Sequence, residues 1–295
     1  MRFPIFTGGG KRKAGEMEFV RKGMRPVLEE KEQNGLVYLT FPALTKTGIV
    51  SHLFSTRMGG VSKGIFSTLN LSFTRGDEKE AVIENYRRVA AVLGCELKDF
   101  VCSDQTHTVN IRKVTKADCG KGVIHPKDYQ DVDGLITDEP GIVLATFYAD
   151  CVPLYFVDTK RSVIGLAHSG WRGTVGRIGE KMLRLMQEEY GCHLEDILAA
   201  VGPSICRDCY EVSEDVAEIF KKEFGETVLS AGRAPGKYQL DLWKANELVL
   251  GQAGLSLGQI TVTDICTCCN PALLFSHRAS EGKRGNLGAF LMLKP

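Results

Sequence analysis

Charge of one sign is not in excess in this chain. Its 295 residues carry 37 lysines and arginines against 36 aspartates and glutamates, so no general pull toward nucleic acid or an anionic membrane is expected. Long apolar runs are also missing: Gly141–Ala149 is strand-sized, far short of a membrane span. The opening MRFPIFTGGGKRKAGEMEF lacks the apolar core of a signal peptide, so a cytoplasmic protein is expected. There is no internal repeat, and no linker-like stretch follows residue 35. GGGKRK is no phosphate loop, because no Ser or Thr follows the lysine and no strand precedes it. What is present is a 43% apolar fraction, enough for a sizeable core, and ten cysteines. In an unexported chain those thiols are expected to be mostly reduced, serving packing, metal binding or catalysis.

Residues 1–35 are Gly-rich, charged and weakly periodic, which predicts a flexible lead-in to one domain over 36–295. From Leu36 the short runs LVYLTF, IVSHLF and TVNIRKV predict strands. Val82, Tyr86, Val89 and Leu93 recur at helical spacing within Glu78–Gly94. Strands are expected over Gly141–Tyr148, Val152–Val157 and Ser162–Ala167, then a helix over Thr174–Tyr190 capped by Thr174. Strands in DILAAVGP, QITVTDI and LGAFLML, with helices near Ser213–Phe224 and Asp241–Ala253, complete the pattern. Strands outnumber helices and often follow one another directly, so a single α+β domain is expected rather than a doubly wound sheet.

Six histidines occur, and two sit in loaded contexts. SDQTHTVNI places His107 between a polar turn and a strand, and LAHSGWRGT places His168 at a strand end before a Gly-rich turn. Cys151 lies in LATFYADCVPLYFVD, where counting by twos aligns it with Ala149 and Phe147, near His168 if neighbouring strands pair. Two imidazoles and a thiolate suit zinc, and three protein ligands leave a fourth position open for reaction. Taken singly, a strand cysteine is more often packing and a strand-end histidine a satisfied surface residue; the pattern alone leaves both readings open. Asp150 is either a residue that orients the site or accepts a proton, or a hydrogen-bonded strand-end carboxylate.

DQTHTVNI, DVDGLITDEPGIVLATFYADCVPLYFVD, AHSGWRGT, VGPSICRDCYEV and SHRASEGKRGNLGAF, with FSTRMGGVSKGIFSTLNL upstream, resemble the YfiH/YlmD family. The match runs in order from about residue 50 to the C-terminus. The resemblance implies β-sheets with helices on their outer faces, and zinc held by His107, Cys151 and His168. It implies phosphorolysis of adenosine, inosine, guanosine and S-methyl-5′-thioadenosine, so that purine nucleoside and phosphate are the expected partners, together with adenosine deamination. Catalytic roles then fall to Cys151, His168 and Asp150. Arg57 and Arg172 become candidates for phosphate, Arg172 beside the N–H groups of the helix that follows His168. The family's usual Ser-Tyr-Arg-Arg is here Ser276-His277-Arg278-Ala279, so its second arginine is missing.

Two rival readings use the same residues. An older name for the family is copper polyphenol oxidase, but blue copper usually adds an axial methionine, and none lies in the three ligand segments. The other is a metal-free cysteine hydrolase with Cys151 as nucleophile and His168 as base. Separately, Cys206/Cys209 and Cys266/Cys269 form two C-x-x-C pairs, each after an apolar strand. They are either buried thiols or, if the pairs meet, a second, four-thiolate zinc site. Nothing in the sequence sets an oligomeric state.

Overall fold

The structure, a computed structural model, describes residues 18–23 and 25–295. GGGKRK and about half of the expected lead-in therefore lie outside the described residues. The rest of that lead-in is docked: Phe19 is buried, and Arg21 pairs with Asp264 at 2.6 Å. A hairpin then joins β1 (Glu29–Gln33) to β2 (Leu36–Thr40), so strand pairing begins ahead of the boundary drawn at residue 36.

A short helix α1 (Pro42–Thr45) leads into β3 (Val50–Ser55), and α2 (Lys79–Leu93) closes on Gly94 in the left-handed region. Next come β4 (Phe100–Cys102), β5 (Ile111–Lys113), β6 (Gly134–Thr137), β7 (Val143–Tyr148), β8 (Val152–Asp158) and β9 (Val163–Ser169). The helical segment after β9 is α3 (Trp171–Val175) and α4 (Ile178–Tyr190), followed by β10 (Ile197–Val201). The chain finishes with β11 (Glu211–Ser213), α5 (Glu214–Phe224), β12 (Leu229–Ala231), β13 (Lys237–Leu240), α6 (Leu242–Gln252), β14 (Ile260–Val262) and β15 (Leu287–Leu293).

Two six-stranded sheets, ordered β1-β2-β3-β15-β7-β4 and β14-β10-β8-β9-β6-β5, face one another. β11, β13 and β12 form a small third sheet. The alternation along β15 shows how the layers are held. Leu287, Ala289, Leu291 and Leu293 enter the core between the sheets, while Phe290 and Met292 pack on α2. β8 does the same on the other side, sending Tyr155 and Val157 inward and Leu154 and Phe156 toward α4 and α6. Burial on both faces is why these strands read as continuous apolar runs rather than alternating ones. Each such large side chain contributes about 1.5–3 kcal/mol. The order is helix, sheet, sheet, helix: the α+β architecture with helices on the outer faces.

The helix expected over Thr174–Tyr190 is divided. It begins earlier, at Trp171, and breaks at Gly176–Arg177, where Arg177 takes a φ of 58°. A Cβ on Gly176 would lie 2.6 Å from Val109 Cγ1, and the Arg177 guanidinium is held by Glu180, Glu223 and Gln252. Close packing on the His107 loop thus overrides helix continuity. Thr174 is not a cap: Gly170 precedes the helix, and the Thr174 hydroxyl donates to the Gly170 carbonyl at 3.0 Å.

One buried histidine makes the fold acid-sensitive. His52 Nε2 on β3 accepts the Phe41 N–H at 2.9 Å, and burial, with the Lys31 charge, lowers its pKa from 6.5 to about 4. The folded chain therefore holds the neutral ring. Stability from this group is complete above pH 6.5 and is lost as pH falls, because the unfolded chain takes up a proton that the folded chain does not. The loss is about 3 kcal/mol by the time pH reaches the folded value. His52→Gln keeps an acceptor without titrating and should flatten urea-denaturation stability across that window. Equal slopes in wild type and variant would refute it.

Candidate metal centre and active site

The site forms where the chain passes from one sheet to the other. β7 belongs to the first sheet and β8 to the second, so Ala149–Cys151 is a turn between layers rather than a strand continuation. Cys151 thus lies just ahead of β8, not on the strand face obtained by counting by twos. β8 and β9 do pair, Pro153 opposite His168, which sets Cys151 beside the end of β9. The third member arrives from the loop before β5, where His107 takes a φ of 67°. The result is one cluster: the ligand atoms of His107, Cys151 and His168 lie within 4.8 Å of one another. His107 Nε2 is 3.9 Å from Cys151 Sγ, and the two imidazole centroids are 5.0 Å apart.

Asp133, fully buried at the start of β6, organises this cluster. Its Oδ1 is 2.7 Å from His168 Nδ1 and accepts the His107 N–H at 3.2 Å. Its Oδ2 accepts from Thr106 N–H at 3.1 Å and from the Thr108 N–H and hydroxyl, each at 2.9 Å. One carboxylate therefore fixes both the ring of His168 and the strained loop that carries His107. With Nδ1 bound to Asp133, Nε2 is the nitrogen of His168 free to act as a ligand, an arrangement that orients metal-binding histidines and raises their basicity. Burial resists the charge on Asp133, but His168 and the loop N–H groups outweigh it and hold the carboxyl below its ordinary 3.8.

The electrostatics of the trio follow from the same contacts. Burial opposes the Cys151 thiolate, yet the His168 charge and hydrogen bonds from both histidines bring the thiol down from 9.0 to about 6. Burial likewise opposes the His168 cation, and Cys151 with Asp133 raises it to about 9. Two imidazoles and an easily ionised thiol, with the outer carboxylate in place, fit a tetrahedral zinc with one open position. Gly170 leaves room for that geometry. Its φ of −71° suits any residue, but a Cβ there would sit 3.0 Å from His107 Cδ2 and 3.2 Å from Cys151 Sγ. Gly170→Ala should therefore weaken metal binding about 10–100-fold, the range for changes next to ligands. Competition against a chromogenic chelator measures this; unchanged affinity in the folded variant would refute the close-packing argument.

The trio opens into a cavity of about 780 Å³. Phe73, Phe147 and Tyr148 give it aromatic surface, and Arg75 and Arg284 line it as cations. Arg284 Nε is buried without a hydrogen-bond partner, and neither arginine has a carboxylate partner among the described residues. Burial and the neighbouring Arg75 charge push Arg284 from 12.5 down to about 10. A pair of unneutralised cations beside the trio is a place for an anion.

The other expected residues are placed differently. Arg57 does not line the cavity: its guanidinium donates to Ser67 O at 2.7 Å and Pro271 O at 2.9 Å and stacks on Phe275. That commitment does not fit an anion role. Arg172 is exposed, stacks over Trp171 at 4.2 Å and is also absent from the lining. The helix beside it has five residues, too short to provide the anion-binding N-terminus expected there. Asp150 is buried, with a φ of 88°. Its Oδ1 accepts the Thr267 hydroxyl at 2.6 Å and its Oδ2 the Arg278 N–H at 2.7 Å. Both oxygens help fix the turn that carries Cys151, which suits an orienting role. Sequence reasoning missed Asp133, Arg75 and Arg284. The signal for Asp133 was the one applied to Asp150, an acid set against an apolar strand.

Residues 51–294 match the family described as multi-copper polyphenol oxidoreductase laccase. The chain is 42% identical over 243 residues to the purine nucleoside phosphorylase YlmD of Geobacillus stearothermophilus, covering 80% of this chain and 88% of that one. It is 35% identical over 229 residues to the adenosine deaminase RL5 of an unknown prokaryotic organism, covering 76% and 87%. The crystal structure of the Geobacillus stearothermophilus YlmD superposes with a TM-score of 0.84 at 37% identity, over 92% of this chain and 100% of that one. Among the described residues no helix is long and apolar enough to cross a membrane.

Proposed function

The chain belongs to the family described as multi-copper polyphenol oxidoreductase laccase, and from that premise we propose that it is a zinc-dependent purine nucleoside phosphorylase. Its substrates in this reading are adenosine, inosine, guanosine and S-methyl-5′-thioadenosine, with deamination of adenosine at the same site. The observation that carries the reading is a cavity joining a His₂Cys donor set to Arg75 and Arg284, cations without a carboxylate partner among the described residues. The relatives named purine nucleoside phosphorylase and adenosine deaminase support it. Zinc is preferred to copper because no methionine among the described residues lines the cavity to serve as an axial ligand.

His107, Cys151 and His168 would hold the ion, which supplies a Lewis acid with one position open to substrate or water. Arg284 and Arg75 hold phosphate by charge-assisted hydrogen bonds, beside the ribose carbon it attacks. Phe73 and Phe147 offer flat apolar surface to the purine. As the phosphate oxygen bonds to C1′, the bond from C1′ to the base nitrogen breaks and its electron pair leaves with the base. Deamination needs no phosphate: water adds at C6 of adenine and ammonia departs. Asp133 keeps His168 in the tautomer that presents Nε2.

Product analysis tests the reading. Adenosine incubated with the protein should give adenine and ribose 1-phosphate at a rate that rises with phosphate, and inosine from water alone. A zinc-loaded sample that releases neither base nor inosine ends it.

One observation favours a second reading. Cys151, His168 and Asp133 stand in the order nucleophile, base, orienting acid, as a metal-free cysteine hydrolase requires. That reading leaves His107 without a task. It predicts that Cys151 alkylates equally fast with and without chelator, whereas a zinc ligand alkylates faster once the metal is stripped.

A further inference from the structure

We propose that Cys206, Cys209, Cys266 and Cys269 hold a structural zinc ion, separate from the trio. Parallel pairing of β10 with β14 brings the segments after these strands side by side, and Ser204 bridges to Cys266. Each C-x-x-C then curls into a tight turn: Cys209 N–H donates to Cys206 O at 3.1 Å, and Asn270 N–H to Thr267 O at 3.2 Å. The four sulfurs end within 4.8 Å of one another. Cys206 and Cys269 are 3.9 Å apart and Cys209 and Cys269 3.5 Å. Four thiolates around zinc at about 2.3 Å form a tetrahedron with edges of about 3.8 Å. These separations match that figure and are far from the roughly 2.05 Å of a disulfide.

A second, independent observation is a pair of backbone donors converging on one of the four sulfurs. Cys266 Sγ accepts backbone N–H groups from both turns, Cys206 N at 3.2 Å and Cys269 N at 3.4 Å. Such donors favour the charged sulfur. All four thiols are free, Cys206 and Cys266 are buried, and Cys268 stays outside the set. Lys22, paired with Asp208 in the first turn at 2.9 Å, stands close enough for Cys206 and Cys269 to act on its charge. An all-sulfur tetrahedral set selects zinc or iron, and of the two divalent ions zinc binds more tightly.

The site braces the active turn. Thr267, inside the second C-x-x-C, donates its hydroxyl to Asp150, next to Cys151. Arg278, whose N–H holds the other Asp150 oxygen, sends Nη1 to the Cys209 carbonyl at 3.1 Å. The ion would thereby fix both supports of the turn that carries Cys151.

Zinc is counted in a His107→Ala/Cys151→Ala background, which removes any contribution from the trio. The full-length protein should retain one zinc per chain there. Cys209→Ser or Cys269→Ser, each at a half-buried position, should reduce it to none. Zinc X-ray absorption on the background protein should show a shell of four sulfurs, a measurement that does not depend on the serine variants folding. Absence of zinc from the folded background protein overturns the proposal, as does zinc indifferent to both serine variants. A shell containing nitrogen or oxygen, iron in place of zinc, or a disulfide among the four found by mass spectrometry without reductant does so too.

Discussion

Asp133→Asn should strip the trio of its metal affinity by about 10–100-fold and lower phosphorolysis with it. The expectation follows from counting donors. In the wild type five donors converge on one carboxylate: the N–H groups of Thr106, His107 and Thr108, the Thr108 hydroxyl and His168 Nδ1. An amide offers one acceptor oxygen and one donor NH₂. If the NH₂ takes the Oδ1 position it meets His107 N–H and His168 Nδ1–H, and His168 must change tautomer and turn a proton toward the metal. If it takes the Oδ2 position it meets two loop N–H groups, and the loop that holds His107 at a φ of 67° loses its anchor. Either way a ligand moves. Leaving buried donors unpaired also costs about 1–3 kcal/mol of stability, read as a lower melting temperature. Wild-type zinc affinity in a folded Asp133→Asn protein would show that the carboxylate does not govern the site.

The same geometry explains what could be read from the sequence. Strands buried on both faces announce themselves by long apolar runs, so β7, β8, β9 and β15 were legible nearly to the residue. The members of the trio drew attention as candidates because Cys151 and His168 sit against apolar strands, while His107 stands between a polar turn and a strand. Their meeting was not, since it depends on β7 and β8 entering different sheets, and local sequence cannot report that. The break between α3 and α4 is likewise tertiary, imposed by Val109 against Gly176. Arg57 and Arg172 were reasonable anion candidates by type, yet a guanidinium's partners are settled by packing. Arg57 is spent on carbonyls, while Arg284, 227 positions later in the numbering, faces the cavity.

Arg284→Ala should slow phosphorolysis about 10–100-fold at limiting phosphate, the equivalent of one lost charged hydrogen bond of about 1.5–3 kcal/mol. Arg284 lines the cavity with a buried Nε that has no hydrogen-bond partner among the described residues, and burial beside Arg75 already makes its charge costly to hold. An arriving phosphate dianion relieves that cost, so the interaction is stronger than a surface ion pair of the same two groups. Removing the guanidinium should therefore raise the phosphate concentration needed for half-maximal rate. Metal content should be unchanged, because Arg284 touches none of the three ligands, and deamination, which consumes water, should fall far less. Arg172→Ala is the matching control: its side chain lies on Trp171 outside the cavity, so its phosphate curve should overlay wild type. Titrating phosphate at fixed adenosine on zinc-matched proteins compares the three directly. If Arg284→Ala overlays wild type and Arg172→Ala does not, phosphate enters from the α3 side of the trio, and the cations in the cavity serve another part of the substrate.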